Sequence, residues 1–355
     1  MTLLFISGFF VTLLAVVGLR PVAENIGLVD KPNARKLHLG SIPLIGGIAI
    51  YISVLFVTTL LIPNSPTLTL YLISSSFMVF IGALDDFYDL NAKVRLWAQF
   101  LIAAILVFGA GVSLTNLGDL FGFGAVHLGL FSLPFTLLAV PTAINAFNMT
   151  DGIDGLVGAL GIVTFSCLSI LTYSTGNSEL FAVSSAFVAA LSAFLLFNLG
   201  GLRSIFGRIF MGDAGSMMIG LSVIWLLVLG TQNSNGFRPV TALWIIAIPL
   251  LDMFSVMHRR IKKGRSPLMA DRDHLHHIMM RLGLSQFGAL TVIVSLALIF
   301  GLFGIIGEYC QIPELVMLIL FVLLFVIYDF FFMHVWRISK IIINLVNNSD
   351  RDDKS

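Results

Sequence analysis

Residues 77–93 read FMVFIGALDDFYDLNAK, an apolar run that stops at two adjacent aspartates. An apolar helix of this kind suits hydrocarbon, where about 20 residues at 1.5 Å each cross roughly 30 Å. Paired carboxylates at its end then mark the point where the run meets the membrane surface. Similar runs recur along all 355 residues, of which 58% are hydrophobic and only 11% charged. Soluble domains carry about 25% charged residues, so this composition leaves no tract for a large soluble domain. It predicts an all-α polytopic integral membrane protein.

Apolar runs read against their breaks give about eleven spans, at roughly 2–20, 43–62, 67–84, 94–112, 128–147, 156–174, 179–199, 212–230, 239–257, 287–306 and 314–336. An odd number puts the termini on opposite sides. With the N-terminus outside (periplasmic) and the C-terminus cytoplasmic, every one of the 20 lysines and arginines except Arg238 falls in an inner segment, as the positive-inside rule requires. The first run, Leu3 to Leu19, lacks a basic leader and a small-residue cleavage site and is followed by Arg20, so it reads as an uncleaved span. One transmembrane domain over residues 1–340 and a polar cytoplasmic tail over 341–355, whose end NNSDRDDKS is disordered by composition, account for the chain. Cys167 and Cys310 belong to separate runs with no CxxC pattern, so packing roles are expected rather than a disulfide or a thiolate metal site. The outer breaks, PNSP, GDLFGFGAVHLG and NSNGFRP, read as plain connectors.

The unusual polar residues lie in the inner segments. Asp85 and Asp86 fall where a helix dipole disfavours negative charge, and two unit charges 4 Å apart repel by about 4 kcal/mol at an effective dielectric of 20. They are either an interfacial pair screened by water, Lys93 and Arg95, or a functional pair awaiting a cation. Asn148, Asp151 and Asp154 are spaced i, i+3, i+6, which on a helix gathers an amide and two carboxylates into one arc of roughly 120°. The same residues with Gly152 and Gly155 equally make a turn. Asp213 in FMGDAGS is either the N-cap of the eighth span or an oxygen ligand for Mg²⁺, an ion that takes one or two carboxylates with phosphates and waters. His274, His276 and His277 lack the thiolates or spaced carboxylates of a structural zinc site. Beside Arg259, Arg260, Lys262, Lys263 and Arg265 they read as an anion-handling loop, and His38 within RKLHLG is placed to help bind phosphate. Asp252 and Asp329, in or near spans, read as buried structural groups with partners the sequence does not identify.

Taken together and in order, KPNARKLHLGSIPLIGG, FIGALDDFYDL, AINAFNMTDGIDGL, FMGDAGS and DRDHLHH resemble the polyprenyl-phosphate N-acetylhexosamine-1-phosphate transferases of glycosyltransferase family 4. The likeness to the bacterial WecA-type members covers nearly the whole chain. It implies transfer of GlcNAc-1-phosphate from UDP-GlcNAc to undecaprenyl phosphate, giving undecaprenyl-diphosphate-GlcNAc and UMP, with Mg²⁺ or Mn²⁺. The setting it implies is the bacterial inner membrane with the active site facing the cytoplasm, at the first lipid-linked step of a surface polysaccharide such as O-antigen or common antigen. Carried over by position, it makes Asp85 and Asp86 catalytic and Asp213 the metal ligand. Lys36, Asn148, Asp151 and Asp154 fall to the nucleotide site, with His38 beside them. Arg260, His274, His276 and His277, with the neighbouring Arg265, fall to the loop that engages the sugar phosphate. The order His-Leu-His-His, where the phospho-MurNAc-pentapeptide relatives have three consecutive histidines, favours GlcNAc. The partners expected are the two substrates and the bilayer, with no nucleic acid and a homodimer left open. A transporter or flippase for a lipid-linked or anionic substrate is the alternative; it calls for charges near mid-span and inverted repeats, whereas the acidic cluster lies on one side and no repeat is evident.

Overall fold

The computed structural model describes residues 2–30, 40–267 and 274–352, with residues 336–352 described by backbone alone. Helix α1 (Thr2–Ile26) leads into a short antiparallel pair, β1 (Val29–Asp30) with β2 (Ile42–Pro43), in register Val29 to Pro43 and Asp30 to Ile42. There follow α2 (Gly46–Leu61), α3 (Pro66–Tyr88), α4 (Ala92–Ala104) with a π-helical turn to Gly109, α5 (Ser132–Thr150), α6 (Leu156–Ser174) and α7 (Ser178–Asn198). The remainder comprises α8 (Leu202–Phe206), α9 (Gly212–Gln232), α10 (Pro239–Ile245), α11 (Ala247–Lys262), α12 (Leu275–Arg281), α13 (Gln286–Tyr309) and α14 (Glu314–Asp352).

Every expected span has a helix, but two differ from the expectation. Among the described residues, nine helices are long and apolar enough to cross a membrane, and a bent pair passes the same test only when its two helices are taken together. That pair is α10 with α11, bent by 79° at Ile246, where one continuous span over 239–257 was expected. Pro249 supplies a reason: it has no N–H to give the Ile245 carbonyl, and its ring crowds that oxygen. The second expected span is the 16-residue α2, about 24 Å long and so short of the roughly 30 Å of hydrocarbon. The polar tail also departs from its reading, since the backbone of α14 stays helical to Asp352; once nucleated, a helix propagates at little cost per residue.

Helix α9 is the axis of the bundle. It is apolar around most of its circumference and buried over nearly all its length, as a helix surrounded by other helices must be. Helices α2, α3 and α5 pack against it. On the α3 side Tyr71 donates or accepts a 2.7 Å hydrogen bond with Ser222 and stacks on Trp225 at 4.1 Å. Nearer the polar end of the bundle, α3 approaches so closely that a Cβ on Gly82 would overlap the backbone of Ala214, the small-residue contact that lets membrane helices pack without a hydrophobic driving force.

The segments expected to be plain connectors do more than connect. In the 111–128 segment, Leu117 N–H donates to Val126 at 2.9 Å, while the Gln232 side chain accepts from Thr115 and Asn116. Arg238 pairs with Glu308 at 3.1 Å and donates to the carbonyls of Gly307 and Ile312 at 2.6 Å, joining the ends of α10 and α13. On the opposite side of the bent pair α14 grips α11, with Ser255 donating to Asp329 at 2.9 Å and His258 bonded to the same carboxylate at 2.8 Å.

Substitution Gly82→Ala is expected to lower stability by about 1–3 kcal/mol, the usual cost of overpacking. A thermal midpoint in detergent equal to that of the parent protein would show that α3 and α9 are not in backbone contact.

Candidate active site

The two aspartates that end α3 divide the work. Asp85 is buried and accepts the Leu90 N–H at 2.8 Å and the Arg95 guanidinium at 2.7 Å. Asp89 turns left-handed to close the helix beside it. Asp86 faces α9 instead and accepts the N–H groups of Asp213 at 2.8 Å and Ala214 at 3.2 Å. The repulsion inferred from sequence is met on one side by Arg95 and on the other by the positive end of a helix.

This arrangement answers the capping reading of Asp213. Asp213 lies one residue inside α9 and the residue before the helix makes no side-chain cap, because Asp86 reaches across from α3 and satisfies the free N–H groups. The Asp213 carboxylate is therefore released from capping its own helix. It accepts from Asn148 Nδ2 at 2.5 Å, and the same amide reaches Ser216 Oγ at 3.0 Å.

Asn148, Asp151 and Asp154 do not share a helix face. Helix α5 ends at Thr150, Asp151 leaves the helical region, and Gly155 at φ 73° starts α6 from a left-handed turn. The turn alternative holds, because the two glycines release the chain from the helix sooner than the 3.6-residue spacing suggested. The three side chains still converge. Asp151 and Asp154 line a cleft of about 420 Å³ together with Asp30, Asp86, Arg208 and Asp213, and Asn148 joins it through Asp213. Asp154 is paired with Arg208 and lies 3.9 Å from Arg203, and the Arg208 guanidinium rests over the Phe210 ring. Asp151 is exposed to the cleft but walled by protein on its other sides. Desolvation, followed by the nearby Asp213 carboxylate, pushes its pKa up to about 7.

The histidine loop reaches the same place from α12. His274 is buried with its Nδ1 at 2.9 Å from Asp252, and His276 lies parallel to it at 5.9 Å. The His276 ring covers Gly152, where a Cβ would collide with it. Burial, then the neighbouring His277, holds the His276 pKa down at about 3, so this ring is neutral at physiological pH. Its Nε2, like Arg208 Nε and Asn198 Oδ1 among the described residues, is buried without a protein partner. The latter two residues line the cleft.

Not every expected residue meets there. Arg260 is buried and donates to the Pro267 carbonyl at 2.6 Å, and Arg265 is exposed; neither lines the cleft. His277 is half-buried and packs on His276 at 4.2 Å. Lys36 and His38 lie outside the described residues. Sequence reading passed over Arg95, Arg208 and Asn198 as site residues. Arg95 registered only as a charge screening the aspartate pair and Arg208 only as a charge that orients the chain, and Asn198, near the end of an apolar run, carried no local signal.

Fold and cleft define an all-α integral membrane protein whose acidic site is built at one end of the bundle. The family model described as glycosyl transferase family 4 matches residues 68–231, which run from α3 through α9. Curated relatives named undecaprenyl-phosphate alpha-N-acetylglucosaminyl 1-phosphate transferase align over nearly the whole chain. The Yersinia pestis protein is 43% identical over 95% of this chain and 92% of its own, and the Salmonella typhimurium protein 44% identical with the same coverage. The Haemophilus influenzae protein is 38% identical over 98% of each. The chain belongs to glycosyl transferase family 4, within the group these relatives form.

The raised pKa of Asp151 has a consequence for stability. A carboxyl whose folded pKa of about 7 exceeds its unfolded value contributes most when protonated, and that contribution is lost as pH rises through about 7. Without divalent cations, Asp151→Asn is expected to raise the thermal midpoint by about a degree or two at about pH 8, less than the full shift implies because solvent in the cleft screens the exposed carboxylate, with the gain vanishing below about pH 4. A difference that does not change with pH would contradict this.

Proposed function

We propose that the cleft transfers GlcNAc-1-phosphate from UDP-GlcNAc to undecaprenyl phosphate, releasing UMP and leaving undecaprenyl-diphosphate-GlcNAc in the membrane. The reading rests on one observation above the others: segments with the family's motifs, far apart in sequence, meet around a single acidic cleft in a chain that aligns end to end with transferases of this name. The cleft faces the cytoplasm, the side to which the lysines and arginines are biased, and the membrane is the bacterial inner membrane. The lipid-linked product begins a surface polysaccharide.

In the reaction an oxygen of the lipid phosphate bonds to the β-phosphorus of UDP-GlcNAc while the bridge to the α-phosphate breaks, and that bridging oxygen leaves with UMP. A phosphate monoester with a second pKa near 6 is already largely a dianion at neutral pH, so the attacking group needs no strong base. That agrees with the state of the aspartate pair. Asp85 is occupied by Arg95 and Leu90, and both oxygens of Asp86 are held by α9. Direct in-line attack is favoured over an aspartyl-phosphate intermediate, and the pair serves to shape and charge the site.

The donor set suits Mg²⁺ or Mn²⁺. Asp151 and Asp213 present carboxylates to the cleft close enough to repel one another, and among the described residues no group of three acidic, histidine or cysteine side chains encloses an ion. One or two carboxylates, with phosphates and waters completing the shell, is how Mg²⁺ is usually held at phosphate sites. Bound there, the ion supplies charge neutralisation of the diphosphate. Asn148 fixes the Asp213 carboxylate, and Arg208 and Asn198 line the cleft.

Purified protein incubated with UDP-GlcNAc, undecaprenyl phosphate and Mg²⁺ should release UMP and form the lipid diphosphate; no UMP from any UDP-sugar would refute the proposal. In the same assay Asp213→Asn is expected to lose at least about 100-fold in kcat, the scale of removing a main electrostatic group, together with the response to Mg²⁺. Retention of the normal metal response would remove Asp213 from the ion site.

A further inference from the structure

Asp252 lies inside α11, within the bent membrane-spanning pair, and is 2% exposed. A carboxylate at such a position is costly unless fully partnered, and in membrane helices such groups usually serve function. Its partners are His274 Nδ1 at 2.9 Å, the Leu275 N–H at 2.9 Å and the Tyr328 hydroxyl at 3.2 Å. The first two belong to the histidine loop, which enters α12 at this point. Two residues on, His276 covers Gly152, the neighbour of Asp151 in the cleft. An unbroken line of contact therefore runs from α11 through Asp252, His274 and His276 to the acidic cleft.

We infer that Asp252 is a positioning residue for the transfer reaction: it anchors the start of α12 from within the membrane and so seats His276 against the Asp151–Gly152 turn. The inference rests on the function proposed above. Its physical basis is that a carboxylate taking a side-chain and a backbone hydrogen bond from adjacent residues fixes both place and direction of the loop, whereas one bond would leave it free to pivot. A carboxylate partner also makes Nδ1 the donor, which fixes the orientation of the His274 ring. Tyr328 of α14 holds the carboxylate from the other side, so the anchor is itself anchored.

The test compares Asp252→Ala, which removes every bond, with Asp252→Asn, which keeps an acceptor for Leu275 and a polar partner for His274. Two readouts are needed: kcat/KM for UDP-GlcNAc, and the rate at which diethylpyrocarbonate modifies each histidine, followed by mass spectrometry. The alanine variant is expected to lose about 10- to 100-fold in kcat/KM, as misplacement of reacting groups by about an ångström does, and to expose His274 and His276 to rapid modification. The exposed His127 at the far end of the bundle should react at its parental rate. The asparagine variant should stay within about threefold on both readouts. If the alanine variant does not fold, the apolar, similarly sized Asp252→Leu puts the same question. Parental activity in the alanine or leucine variant overturns the inference, and so does lost activity with His276 still protected. Loss in the asparagine variant as deep as in alanine, with both histidines protected, overturns it as well. Failure of the parent protein to release UMP would instead refute the function on which the inference rests.

Discussion

The carboxylate of Asp86 at the start of α9 is the contact on which the site depends. A helix that begins inside a membrane protein has free N–H groups that water does not reach, and an acidic side chain at the end of another helix has charge that the bilayer does not solvate. Joined at 2.8 and 3.2 Å, each resolves the other's deficit. Gly82 lies one helical turn before Asp86 on the same face of α3 and meets the same first turn of α9, so backbone contact and hydrogen bonds lock one register. With its helix already capped, Asp213 turns to Asn148 and the cleft.

Charge is distributed around that contact in a way that leaves the cleft negative but selective. Arg95 is paired with Asp85 beside the cleft, and Arg208 occupies Asp154 at the cleft wall. Asp151 and Asp213 remain as mutually repelling carboxylates, the charge that the proposed divalent ion would neutralise. The neutral His276 closes the wall above Gly152 without adding charge. An anionic donor and an anionic lipid thus meet where cations must be recruited, at the end of a bundle whose apolar flanks hold the lipid's solvent.

The bent pair α10–α11 has a comparable role for the other half of the site. By breaking at Ile246 it turns α11 so that Asp252, Ser255 and His258 face polar groups of the histidine loop and α14. Pairs such as Ser255 with Asp329 are separated by 74 residues, and no local pattern connects them. The aspartates that looked like isolated buried polar groups are the ties between α11, α14 and the loop.

What the sequence determined by itself was the all-α membrane architecture, the position of nearly every helix and the segments that would carry the chemistry. Hydrophobic length, the bias of lysine and arginine and the turn-forming glycines are local properties, legible residue by residue. What only the tertiary structure decided was which groups each carboxylate faces. Asp85 and Asp86 are neighbours in the chain with opposite partners, Arg95 and the start of α9, and Asp213 was freed from capping by a residue 127 positions away. The turn after Thr150 and the break at Ile246 likewise set the site against the simplest periodic reading. The reason is physical: the state and direction of a buried charge depend on the groups that face it, and in a packed bundle those come from distant parts of the chain.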